Sequence, residues 1–290
     1  MNTCLRSTIL RSIFVLIVGF SVGALQASAF TEEADSLRWR FEGQRQMRDG
    51  SVEAHFSLYG ADALEIDELE FFYSTGDFAL RGNPNVQPEI HSTAYHKKVP
   101  ADTRNIVIYS GRYAQLELWA VAKAGGMTYV AQTAVNLYGQ SGLDKTDFEE
   151  LDTLPALTGL TVLKRGRYGV MTGEQIDFSI RNGYAGPVRV YLDGVKIAEL
   201  QPEAGVYSHL LPSGRKLTAR AGVDYHELLF ITDAFETEGV NGDIRFSCWL
   251  PLYRSMRDNQ DFPGGFVVLF SAAAISLIAI VLKGRRFKWR

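Results

Sequence analysis

The 290-residue sequence predicts an all-β fold, two antiparallel β-sandwich domains followed by a single C-terminal transmembrane helix. Three observations carry this expectation. Between residues 30 and 262 no apolar pattern keeps a 3.6-residue period; instead short runs rich in Val, Ile, Tyr, Phe and Thr alternate apolar with polar residues, the period of a half-buried strand. Turn residues separate these runs at intervals of roughly a dozen, the spacing of an antiparallel sandwich. Residues 264–282 (GGFVVLFSAAAISLIAIVL) carry no charge, and Lys283, Arg285, Arg286, Lys288 and Arg290 follow at once.

Composition bounds the alternatives. With 46% apolar and 22% charged residues the chain is neither disordered nor collagen-like, and 12% aromatics can fill a sizeable core. The net charge of −3 is unevenly spread: removing +2 in the first 29 residues and +5 in the last eight leaves −10 for the middle. So acidic a body excludes nucleic acid as a partner, since lysine and arginine must displace counterions from phosphates.

Residues 1–29 read as a signal peptide. Arg6 and Arg11 precede an apolar run over 13–25, and Ala27-Ser28-Ala29 offers a small-x-small cleavage site. That run is too short for ~30 Å of hydrocarbon at ~1.5 Å per residue. Residues 30–140 form the expected first sandwich, with strands over 37–42, 52–59, 64–73, 105–110, 113–123 and 127–137. The last two flank Ala124-Gly125-Gly126, a hairpin turn, because glycine reaches φ > 0 without a steric penalty. Residues 81–100 hold three prolines and read as a long connection.

Residues 141–159, with Asp144, Asp147, Glu149, Glu150 and Asp152, read as an acidic linker; they lack the glycine and ligand spacing of a calcium loop. A second sandwich is expected over 160–250, from strands at 160–163, 175–181, 188–192, 195–200, 215–221, 227–232 and 243–250. Its clearest signal is VRVYLDGVKIAEL, where Asp193-Gly194 specifies a type I′ hairpin. Residues 251–263 form a juxtamembrane stalk and 264–282 the bilayer-spanning segment. It must be helical, because in hydrocarbon every backbone polar group needs a partner within the chain. The basic tail, 283–290, stays cytoplasmic by the positive-inside rule. The chain is thus expected in the bacterial inner membrane, with the bulk of it periplasmic or extracytoplasmic.

The order of signal peptide, sandwich modules, stalk, single helix and basic tail resembles bacterial type I envelope proteins with immunoglobulin-like domains. The second domain, with Thr172-Gly173-Glu174 leading into a strand and its LDG hairpin, resembles carboxypeptidase-regulatory or transthyretin-like modules over about 90 residues. No catalytic or binding residue carries over from such modules. Pro263-Gly264-Gly265, the apolar run and the arginine cluster are similar to sorting signals removed by envelope proteases, although no LPxTG precedes the run.

Catalytic spacing is absent beyond residue 29: the sequence has no HExxH, GxxxxGK[ST] or helix-opening GxGxxG, and its GxSxG match, Gly19-Phe20-Ser21-Val22-Gly23, lies within the apolar run of the signal peptide. No catalytic residue and no cofactor is therefore expected. His91 and His96, in HSTAYH with Glu89 nearby, are the candidate metal ligands, since imidazole is the commonest such ligand. Residues five apart in an extended loop project to opposite sides, which weighs against them. Cys248 is the one cysteine left after signal removal, either a buried small apolar group or a thiol linking two chains. The first domain's tyrosines and phenylalanines are expected to fill a core, with carbohydrate stacking as the alternative. The functional expectation is a non-enzymatic membrane-anchored protein presenting its sandwiches to an envelope protein partner. The alternative is a metal- or carbohydrate-binding accessory of a transport system, with Asp224, His226 and Glu227 in its pocket.

Overall fold

The computed structural model describes residues 36–77, 92–141, 145–163, 170–213 and 225–253. In the first half these form β1 (Arg38–Gln46), β2 (Val52–Tyr59), β3 (Glu68–Asp77), β4 (Ser92–Val99), β5 (Asn105–Ser110), β6 (Tyr113–Ala124), β7 (Met127–Tyr138) and β8 (Glu149–Leu151). The second half adds β9 (Leu160–Val162), β10 (Val170–Met171), β11 (Gln175–Ile180), β12 (Val188–Leu192), β13 (Val195–Leu200), β14 (Tyr207–Leu210), β15 (Tyr225–Thr232) and β16 (Ile244–Tyr253). Besides strands there are two 3₁₀ turns, Ala61–Ala63 and Arg181–Gly183. Among the described residues no helix is long and apolar enough to cross a membrane; 1–29 and 264–282 lie outside them.

The layers follow from side-chain alternation. A ten-stranded central sheet runs β13-β12-β15-β16-β7-β6-β3-β4-β8, with β10 also paired to β16. In β6, Leu116, Leu118, Ala120 and Ala122 enter one core while Trp119 enters the other; in β15, Leu229 and Ile231 oppose Leu228 and Phe230. Successive strand residues face opposite sides, so a sheet apolar on both faces needs two covers. A three-stranded sheet, β1-β2-β5, closes the first core with Trp39, Phe41 and Phe56. Another, β14-β11-β9, closes the second core with Phe178, Ile180 and Tyr207.

Pairing departs from the sequence expectation in three places. The sheets are mostly antiparallel, but β16 pairs parallel with β7 over Ile244–Trp249, and β10 pairs parallel with the end of β16. Strands from both halves therefore share one hydrogen-bonded sheet. The expected connection over 81–100 contains β4, paired with β3 from Leu69↔Val99 to Gly76↔Ser92. Its prolines, Pro84, Pro88 and Pro100, all fall outside that strand, which is why proline content concealed it. The expected acidic linker contains β8, whose Glu149 and Glu150 pair with His96 and Tyr95 on β4. Burial of Phe148 anchors this short edge. The expected hairpins are present: β6 and β7 turn at Gly125-Gly126, and β12 and β13 turn at Asp193-Gly194, with φ of 49° and 79° as type I′ demands.

Candidate functional site

A sheet edge is a row of unpaired backbone groups, and each edge here is treated differently. β1 is kinked by a bulge between Phe41 and Gly43 and is tied down by side chains. Gln44 Nε2 donates to the Asn136 carbonyl at 3.4 Å, and Tyr225 Oη donates to the Phe41 carbonyl at 2.6 Å. β8 is three residues long and bears Glu149 and Glu150. β13 bears Lys196 and Glu199, paired at 2.8 Å.

β5 has none of these protections. Its sequence, NIVIYS, contains no charge, proline or glycine and is rich in β-branched and aromatic residues. Among the described residues it pairs on one side only, with β2, from Val52↔Ser110 to Ser57↔Asn105. Leu58 N–H donates to the Arg104 carbonyl at 2.7 Å. In an antiparallel ladder hydrogen-bonded pairs alternate, so Ile106, Ile108 and Ser110 face β2 with their backbone groups. Asn105, Val107 and Tyr109 turn theirs to the open side, where no strand pairs with them among the described residues.

Beside that open edge lies a groove of about 470 Å³. Phe71, Val99, Ile106 and Phe148 give it an apolar floor, and Tyr109, 39% exposed, stands on its β5 side. The opposite wall is residues 145–148. Tyr73 Oη donates to Thr146 Oγ1 at 2.8 Å, Phe148 packs edge-on against Tyr73 at 4.9 Å, and Lys97 lies 5.4 Å over the Phe148 ring while pairing with Asp147. Lys145 pairs with Asp49 at 3.3 Å. These contacts fasten residues 145–148 to β3, to β4 and to the β1–β2 turn. Asn105, Ile106 and Val107 also border a second hollow, about 460 Å³, with Glu42, Gln44 and His55. Such an arrangement offers backbone donors and acceptors beside apolar pockets.

The sequence-derived candidates are placed elsewhere. His96 sits on β4, its ring 4.6 Å from that of Phe72 and its Nε2 3.7 Å from Glu70 Oε1. His91, its proposed partner in metal binding, lies outside the described residues, as does Asp224. Among the described residues no group of three or more His, Cys, Asp or Glu is disposed to hold a metal. His226 is buried and its Nδ1 lies 2.8 Å from Asp193 Oδ2, while Glu227 pairs with Arg40 at 3.1 Å. Both partnerships tie strands together. His55 lies 3.6 Å from Glu53, and His209, on β14, is pushed below the usual imidazole range by burial. Cys248 is 1% exposed, and burial raises its thiol well above the ordinary value. Phe71, Phe72, Tyr73 and Trp119 are core residues, whereas Tyr59, Tyr109, Tyr113 and Tyr138 are exposed. The β5 edge was legible as a strand from its composition; that it lies at an open edge was not, because neighbours are decided by residues far away in sequence.

No protein-family model matches the sequence, and no curated protein matches it. Among solved structures, the chain is similar to the fibronectin(III)-like modules of Clostridium thermocellum CbhA, at 11% identity and a TM-score of 0.19, covering 74% of this chain and 94% of that one. Red sea bream transglutaminase aligns at 12% identity and a TM-score of 0.18, covering 76% of this chain and 31% of the fish protein. At such TM-scores neither likeness extends beyond the β architecture already seen in the packed sheets themselves.

Proposed function

We propose that the protein is a non-enzymatic, single-pass, membrane-anchored extracytoplasmic protein that captures an extended segment of an envelope partner along β5. One observation carries the reading: an uncharged six-residue edge whose outward backbone groups have no strand partner among the described residues, beside a groove lined by Phe71, Lys97 and Phe148. Strand addition supplies affinity through main-chain hydrogen bonds and specificity through pockets for alternate side chains. The expected guest is a segment with apolar side chains at every second position. The anchoring part of the reading rests on the apolar runs at 13–25 and 264–282 and on the basic tail.

The test places a photo-crosslinking phenylalanine analogue at Tyr109 of the full-length protein in its native membranes. Val107→Pro removes an outward N–H that β2 does not use, so it should leave the melting temperature nearly unchanged while reducing the crosslinked adduct at least ~10-fold. Ile108→Pro, which removes a bond to β2, should instead destabilise the sheet. No adduct at native expression, or an adduct insensitive to Val107→Pro, overturns the proposal.

A further inference from the structure

The first core is covered unevenly along the central sheet. In the cover, β1 packs on β7 and β16, so at one strand spacing per step the order β1-β2-β5 places β5 above the β6–β3 pair. Beneath these strands Leu116 and Leu118 of β6 and Leu69 and Phe71 of β3 are at most 1% exposed. β4 continues the same face with Tyr95, Lys97 and Val99, opposite Tyr73, Phe71 and Leu69, and all three are only half-buried. Among the described residues no cover strand lies above β4. That space is the groove beside β5, and the outward backbone groups of Asn105, Val107 and Tyr109 border it. Its charges are already matched: Lys97 pairs with Asp147, and Lys145 with Asp49. On the outer side of the edge Glu42 lies 3.8 Å from Arg40, and Arg45 stands in register with Glu53.

We infer that the groove receives one uncharged extended segment of a partner protein, with apolar residues opposite Ile106 and Ile108 and polar residues alternating with them. The inference deepens the reading of strand capture at β5 and rests on it. Directly opposed residues of paired strands put their side chains on one face. The guest residues opposite Ile106 and Ile108, about 7 Å apart along their strand, therefore enter the groove above Phe71, Val99 and Phe148. A charge at either position loses its water and finds every ion of the groove already paired. Guest residues opposite Asn105, Val107 and Tyr109 turn to the outer side, where Gln44, His55 and Ser57 border the second hollow and a polar side chain keeps its water. A second copy of this chain does not fit. Same-face antiparallel pairing of β5 with itself sets a two-fold axis normal to the sheet, and β4 and β8 extend past β5 toward that axis in both copies. The two overhangs would collide.

The full-length protein in its native membranes, carrying the photo-crosslinking phenylalanine analogue at Tyr109, provides the test, with synthetic peptides as competitors. The peptide KTVTVTVTK should reduce the adduct at least ~5-fold, whereas KTVTDTVTK should reduce it less than ~1.5-fold. The groove takes two successive inward residues, so every register that fills it with valine uses the central one, and sliding cannot spare the aspartate. Val107→Cys should add no disulfide-linked dimer of this chain on non-reducing electrophoresis. Equal competition by the two peptides, competition by neither while the adduct persists, or a dimer through position 107 overturns this inference and leaves capture along β5 standing. Absence of the adduct itself, or its insensitivity to Val107→Pro, overturns the capture reading.

Discussion

Asp193 does two jobs at one turn. As the first central residue of a type I′ hairpin it occupies φ of 49°, a region where Asp is tolerated because its short side chain bonds locally. Its carboxylate then accepts the Glu227 N–H at 2.9 Å and meets His226 Nδ1 at 2.8 Å, fastening the turn to β15. Asp193→Ala leaves a buried imidazole and a backbone N–H without that oxygen. A loss of about 1–2 kcal/mol in denaturant unfolding is expected. Cys248 illustrates the opposite economy. Packed in the second core, it contributes volume only, and its raised thiol pKa keeps it protonated. The native protein should react with a maleimide at Cys248 only on the timescale of unfolding, and non-reducing electrophoresis should show no dimer through it. Glu68 sits between Lys98 and Lys123, which hold its carboxyl down at about 2. Because the folded value lies below the unfolded one, the contribution is complete above about pH 4.5 and disappears as pH falls toward 2. It is small, since the site is solvated. Glu68→Gln should lower the melting temperature slightly at pH 7 and leave it unchanged near pH 2, flattening the profile between pH 4.5 and 2.

Among the elements, β4 and β5 show why local pattern and edge behaviour are separate matters. β4 reads STAYHKKV, too polar to stand out in the sequence, yet it pairs with β3 on one side and β8 on the other, and Tyr95 stacks on Tyr73 at 4.5 Å. β5 is the more obviously strand-like sequence and, among the described residues, pairs on one side alone. The nearby turn closes tightly around Gly139. A Cβ there would collide with the backbone of Ser110 and Arg112, so Gly139→Ala should destabilise the end of β7 that carries Tyr138. Reduced hydrogen-exchange protection at Gln140 would report it.

At the scale of the molecule the parallel β7–β16 pairing is the central fact. It joins halves separated by more than a hundred residues, and each half contributes to both cores. A second link crosses the same boundary: Arg181, at the 3₁₀ turn after β11, pairs with the largely buried Glu117 of β6 at 3.2 Å and lies 5.8 Å over Trp119. Arg181→Ala removes an ion pair from a poorly hydrated carboxylate and should cost about 2 kcal/mol, read in denaturant unfolding. The two halves should accordingly melt together. Phe178→Ala, in the second core, is expected to lower hydrogen-exchange protection in β6 and β7 as well as in β11. Independent melting of the halves would contradict the continuous sheet.

Strand composition, the two glycine-bearing hairpin turns and the inner and outer faces of β2 were decided by the sequence alone, whereas β6, whose Gln115, Glu117 and Lys123 face reads as wet, is buried on both faces over most of its length. Alternation and turn chemistry act between neighbours, so they are written locally: Val52–Tyr59 and Asn105–Ser110 begin and end as their residues dictate. The parallel seam, the rescue of polar β4 and the open edge at β5 were decided only by the tertiary structure. Each depends on which strands become neighbours. That choice belongs to the packing of two apolar faces at once, and no single stretch of sequence encodes it.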